Sequence, residues 1–207
     1  MVTNSMKIKI CGLFRNQDIE FANIAMPDYI GFVFAEKSRR RVDFEKAYEL
    51  RKNLDKNIKA VGVFVNQDKK FISELVSNKI IDVVQLHGNE DNDYISGLRK
   101  ISEDVPIIKA VSVKTSEDII LSEKYISDFI LLDNGNGGTG ESFDWNFIEK
   151  NKRIFLAGGI NTENIAQAVK LNPYCIDVSS GAETDGLKDK NKMIQLVGAV
   201  RNNGGIL

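Results

Sequence analysis

Cysteine and histidine are scarce in this chain. Two cysteines, Cys11 and Cys175, and a single histidine, His87, occur among 207 residues. A structural zinc site needs about four Cys or His ligands, so none is expected. The two cysteines lie far apart, and a chain of this length does not need the disulfide scaffold of a small secreted domain. A reducing, cytoplasmic setting is the expectation. An excess of either charge is also missing. The 28 basic residues face 29 acidic ones, a formal net charge of −1, which gives no general basic surface for nucleic acid. No apolar run approaches the ~20 residues of a membrane-spanning helix, and the N-terminus lacks a signal-peptide pattern. Neither nucleic acid nor membrane is therefore expected as a partner.

What is present is an ordinary globular composition, 43% hydrophobic and 28% charged, enough for a large core. Eight short apolar runs recur at 7–10, 29–34, 59–65, 82–87, 105–111, 128–133, 153–158 and 175–180, and their first residues fall 22 to 30 positions apart. Each reads as a strand buried on both faces. Helical spacing fills the intervals. Phe44, Ala47, Tyr48 and Leu54 fall near one face of 44–54, and Ile165, Ala168 and Val169 near one face of 164–171. Asp43, Thr115 and Asn161 stand where helix N-caps belong. Eight strands alternating with helices predict parallel βαβ units. Their even spacing favours an α/β fold of the (β/α)₈ TIM-barrel kind over an open doubly wound sheet. No composition shift divides the chain, so 1–207 reads as one domain, with 1–5 a loose lead-in.

A barrel of this kind carries its chemistry at the C-terminal ends of its strands. Strand one ends at Cys11, followed by Gly12, and a thiol at a strand mouth can be exposed enough to react. Strand six ends at Asp133, where desolvation can raise a carboxyl pKa and make it a general acid. Alone, either residue reads better as packing or capping. Together on one rim they suit an isomerisation in which one group gives a proton and the other takes one. The glycines and serines of "AGGI" (157–160) and "SSGAE" (179–183) follow strands seven and eight, where barrels commonly bind phosphate on backbone N–H groups. Gly158, Gly159, Ser180 and Gly181 are thus candidate phosphate contacts. Arg39, Arg40 and Arg41 follow strand two, and one of them is placed to meet a substrate carboxylate. His87 is read as a positioning or substrate-contacting residue, and Cys175 as core. "GNGGTG" (135–140) matches a dinucleotide fingerprint formally, but "ESFDW" follows in place of an opening helix. A loop over the site fits better.

The ordered stretches "KICG" (9–12), "GFVF" with "KSRR" (31–40), "VGVFVN" (61–66), "VQLHG" (84–88), "LLD" (131–133), "GGTG" with "FDW" (137–145), "AGGI" and "DVSSGAE" (177–183) resemble phosphoribosylanthranilate isomerase. The resemblance implies an Amadori rearrangement in tryptophan biosynthesis. The substrate is N-(5-phosphoribosyl)anthranilate, and the product is 1-(2-carboxyphenylamino)-1-deoxyribulose 5-phosphate. It implies Cys11 as general base, Asp133 as general acid and Arg40 as partner of the anthranilate carboxylate. The substrate's iminium and aniline ring form the electron sink, so no cofactor or metal is called for. A thiol of pKa ~8.5 then has to be depressed toward ~7 to serve at neutral pH. Arg41 and Asn134 depart from residues frequent in the family and leave the anthranilate pocket's details open. Also open are a related aminoaldose substrate and a monomeric or homodimeric state. Rivals are a sugar-phosphate epimerase, which would want metal-binding histidines, an indole-glycerol-phosphate synthase, which would want a catalytic lysine and glutamate set, and a barrel that only binds a phosphorylated ligand.

Overall fold

The computed structural model describes residues 6–134, 144–148 and 153–202. Eight parallel strands close into a barrel in chain order: β1 (Lys7–Cys11), β2 (Tyr29–Val33), β3 (Lys59–Phe64), β4 (Val83–Leu86), β5 (Ile107–Ser112), β6 (Phe129–Asp133), β7 (Ile154–Leu156) and β8 (Cys175–Val178). Closure is made by β8 pairing with β1, with Lys7 opposite Cys175 and Lys9 opposite Asp177. The open sheet is thereby excluded. The strands fall where the apolar runs predicted them, within two residues at either end.

Parity along each strand divides the core in two. In β8, Cys175 and Asp177 point into the barrel while Ile176 and Val178 face the helices; in β1, Lys9 and Cys11 point in while Ile8 and Ile10 point out. Tyr29, Val61, Val83, Ile108, Leu131 and Phe155 help fill the barrel interior. A larger apolar layer lies between strands and helices. Cys175 is fully buried at the start of β8, as expected of a core residue.

The described helices are α1 (Asn16–Ala25), α2 (Phe44–Asn53), α3 (Lys69–Ser77), α4 (Asn92–Arg99), α5 (Ser116–Ser122), α6 (Ile165–Lys170) and α7 (Lys190–Arg201). Asp43 caps α2 by accepting from the Lys46 N–H, and Thr115 forms a capping box with Asp118 at α5. Two local expectations need correction. Asn161 does not cap α6; Asn164 stands there, and Asn161 instead folds the preceding turn by accepting from the N–H groups of Glu163 and Asn164. Tyr48 does not face the core of α2 but lies 44% exposed beneath the Lys52 ammonium, and Leu50 takes the buried place. The spacing of four between Tyr48 and Phe44 fits the helix, but the stripe follows Ala47, Leu50 and Leu54.

Between β6 and β7 the described backbone includes a short 3₁₀ turn, Trp145–Phe147. The glycine-rich stretch 135–140 and the lead-in 1–5 lie outside the described residues. After β8 a two-residue hairpin, β9 (Glu183–Thr184) with β10 (Leu187–Lys188), precedes α7 and was not foreseen. Among the described residues no helix is long and apolar enough to cross a membrane.

Candidate active site

The C-terminal mouth of the barrel holds a cavity of 220 Å³. Its walls include Cys11, Arg40, Gln85, His87, Asp133, Asn134, Gly158, Gly159, Asp177, Ser179 and Ser180, with Val33, Val63, Val65 and Ile160 supplying apolar surface. Seven of the eight residues singled out from sequence therefore meet at one place. The eighth, Gly181, lines an adjoining cavity with Gly159, Ser180 and Lys192.

Cys11 ends β1 with its side chain inward, only 8% exposed. Gly31 on β2 leaves room for it: a Cβ there would come within 2.7 Å of the thiol sulfur. Gly12 follows in the left-handed region, φ +85°, and a Cβ on it would strike Arg40 Cδ at 2.4 Å. A glycine after the cysteine thus turns the chain and admits the Arg40 side chain beside it.

Beneath Cys11 lies a charge pair missed in the sequence. Lys9 Nζ is fully buried and sits 2.9 and 3.0 Å from the two Asp177 carboxylate oxygens, and its charge acts on the Cys11 thiol. Burial alone would lower the Lys9 pKa, but Asp177 and then Cys11 more than offset it and hold the ammonium charged. Burial pushes the Cys11 thiol above its ordinary value, and the Lys9 charge opposes this without cancelling it. The expected exposure and depression of this thiol are therefore not what the free protein displays. Desolvation outweighs its cationic neighbours.

Asp133 ends β6 and is 7% exposed. Its Oδ1 accepts from the Asn134 N–H at 2.8 Å, and its Oδ2 lies 3.5 Å from His87 Nε2. His87 Nδ1 in turn meets Gln85 Nε2 at 2.9 Å. His87 therefore contacts Gln85 through Nδ1 and faces the Asp133 carboxyl group through Nε2.

Within "KSRRR" only the middle arginine is buried. Arg39 and Arg41 are exposed, and Arg40 is 8% exposed. Its Nε and Nη2 donate to the two Glu183 carboxylate oxygens at 2.6 and 2.8 Å, and Arg39 Nη2 also donates to Glu183 at 2.8 Å. Lys188 on β10 donates from Nζ both to the same carboxylate and to the Ser179 carbonyl oxygen. Burial would raise the Glu183 pKa; the hydrogen bond from Arg40 and the charge of Lys188 more than offset it and hold the carboxyl below its usual range. Glu183 and Lys188 are functional candidates that sequence reasoning left unassigned. Glu183 stood inside a quoted motif, but nothing in the local pattern linked it to Arg40, 143 residues away.

The loops after β7 and β8 are bound to each other. Gly158 and Gly159 both have positive φ, +91° and +65°, and Asn161 pairs with Gly181 in an isolated parallel bridge. A Cβ at Gly181 would lie 2.0 Å from the Ile160 carbonyl oxygen. Ser179 Oγ donates to Cys11 O, which ties this loop to β1. Left-handed backbone of this kind at a barrel rim is a conformation in which successive N–H groups can converge on an anion.

Comparison with known proteins bears directly on this cavity. The family described as N-(5'phosphoribosyl)anthranilate (PRA) isomerase matches residues 8–199. The N-(5'-phosphoribosyl)anthranilate isomerase of Endomicrobium trichonymphae is 50% identical over 202 residues, covering 95% of this chain and 98% of that protein. The solved phosphoribosyl anthranilate isomerase of Thermus thermophilus superposes with a TM-score of 0.83 at 30% identity, covering 95% and 99% of the two chains. Another solved member, in complex with reduced 1-(o-carboxyphenylamino)-1-deoxyribulose 5-phosphate, gives a TM-score of 0.78 at 32% identity, covering 95% and 99%.

Proposed function

The chain belongs to the N-(5'-phosphoribosyl)anthranilate isomerase family, and from that premise we propose that Cys11 and Asp133 are the proton-transferring pair of its cavity. The protein is an isomerase of tryptophan biosynthesis. It converts N-(5-phosphoribosyl)anthranilate to 1-(2-carboxyphenylamino)-1-deoxyribulose 5-phosphate. The observation that carries the residue roles is that Cys11 from β1 and Asp133 from β6 line one cavity flanked by the β7 and β8 loops.

The reaction needs a proton delivered to the ribose ring oxygen, which opens the ring to an iminium. Asp133, at the apolar end of β6, is the general acid. A base then removes the C2 proton to give an enaminol; Cys11 takes it as thiolate. Protonation at C1 and loss of the C2 hydroxyl proton give the aminoketone. Burial disfavours the thiolate in the free protein. The iminium formed in the first step is a cation, and a nearby cation favours the thiolate. The first step therefore prepares the second. Gly158, Gly159, Ser180 and Gly181 take the phosphate of the ligand. Arg40 takes the anthranilate carboxylate with the guanidinium edge that Glu183 leaves over. His87 orients Asp133.

Turnover is followed by loss of anthranilate fluorescence, with phosphoribosylanthranilate generated in situ. The expected result is turnover by the parent protein and a loss of at least ~10²-fold in kcat for Cys11→Ser and for Asp133→Asn, the scale of general acid–base catalysis. Full turnover by either variant would remove that residue from the pair.

A further inference from the structure

One polar atom in the cavity wall has no partner among the described residues. Gln85 Oε1 is buried and unbonded, on a residue only 1% exposed that lines the cavity. Buried amide oxygens are almost always paired, and leaving one unpaired is costly. The neighbouring chain of contacts fixes which end of the amide is left over. If His87 Nε2–H points at the Asp133 carboxylate, His87 Nδ1 is an acceptor. Gln85 must then offer its NH₂ to His87, which leaves the carbonyl oxygen as the unpaired end of a residue that lines the cavity. The strand around it is otherwise apolar: Val83, Val84 and Leu86 are buried, so a polar side chain at this inward position is out of keeping with simple packing.

We propose that Gln85 is a substrate-contacting residue whose Oε1 accepts a hydrogen bond from a donor on the bound sugar-amine, a ribose hydroxyl or the anilino N–H. The inference rests on the active-site reading above. Both proposed proton carriers work beside this position. Asp133 is linked to Gln85 through His87, and Cys11 lies across the same cavity. An acceptor held rigidly there discriminates in favour of ligands that carry a donor, because a ligand without one leaves the oxygen unpaired.

A purely structural role for Gln85 would act through His87, and the test separates the two. Gln85→Leu and Gln85→Met are made in the parent and in a His87→Ala background. Binding of the reduced product analogue is measured by calorimetry and melting temperature by calorimetric scan. The expected result is at least about tenfold weaker analogue binding in both backgrounds, the scale of one lost buried hydrogen bond. The melting temperature should not fall, because an unpaired buried oxygen is removed. Unchanged analogue binding by both Gln85 variants in the His87→Ala background would overturn the proposal and leave Gln85 as a holder of His87. If the parent neither binds the analogue nor turns over substrate, the active-site reading fails before Gln85 is tested.

Discussion

As the proposed base Cys11 would have to ionise, yet burial favours its protonated form. Below the raised pKa of the thiol, the thiolate fraction grows about tenfold for each unit of pH. Alkylation of the thiol by iodoacetamide reads the thiolate directly, without the protonated Asp133 that turnover needs, so its rate rises with pH through the neutral range and does not level off near 7. Alkylation rates from pH 6 to 9, read by mass, check this, and a plateau at 7 would contradict it. The shared place of Cys11 and Asp133 on one rim was legible in the sequence because each closes an apolar run, and strand ends on one rim converge. Gln85 and Lys9 carried a weaker signal that went unused. Each sits two positions before a rim residue, with the same parity, so it had to point into the barrel. A polar side chain there asks for a partner. Gln85 meets His87 two residues on, but the Asp133 that faces His87 comes from β6 and the Asp177 that meets Lys9 comes from β8, and no local pattern encodes either.

At the scale of elements, the β9–β10 hairpin serves to hold the arginine of the β2 loop. Glu183 draws Arg40, Arg39 and Lys188 onto one carboxylate, and replacing it leaves two buried cations without a counter-charge. Glu183→Gln is expected to raise KM by about tenfold or more, the scale of a lost charge-assisted hydrogen bond, while kcat changes less. Equal loss in kcat and kcat/KM would show that Arg40 acts on the transition state and not as an anchor. The pH dependence of stability gives a second reading. Glu183 has a lowered pKa in the folded protein, so its contribution is present above the ordinary 4.5 and fades as pH falls through the folded value. The acid limb of melting temperature against pH should therefore be shallower in Glu183→Gln. Strand spacing was legible because each run is long enough to show its pattern. Two-residue strands are not, and neither is the choice between Asn161 and Asn164 as cap, since both residues satisfy backbone N–H groups in the same turn. The two loops proposed to take the phosphate obey the same logic. Gly181→Ala drives a Cβ into the Ile160 carbonyl, so the loops must part. Inhibition by inorganic phosphate should then weaken by about tenfold or more; unchanged inhibition would place the anion elsewhere.

For the whole molecule, the decisive event is closure, and the charge pair at the closing seam joins stability to chemistry. An apolar run indicates a strand, but whether eight strands close depends on stagger between neighbours, which is absent from any single run. In the structure β1 meets β8 with Lys9 opposite Asp177, and their side chains pair inside the barrel directly below Cys11. Buried ion pairs seldom stabilise more than apolar replacements of similar size, but breaking one partner costs about 3–5 kcal/mol. Asp177→Asn alone should therefore lower stability on that scale, because it strands the Lys9 ammonium. The double variant Lys9→Met with Asp177→Leu should fold as stably as the parent or more so. Its chemistry should still suffer. Lys9 lowers the Cys11 pKa by charge and by hydrogen bond, and Asp177 opposes it more weakly, so removing both raises the thiol further. Alkylation of Cys11 by iodoacetamide, read by mass across pH, should need a higher pH in the double variant, and kcat/KM at pH 7 should fall with it. If the double variant is stable and Cys11 alkylates with the parent's pH profile, the pair serves closure alone and Lys9 has no part in preparing the base.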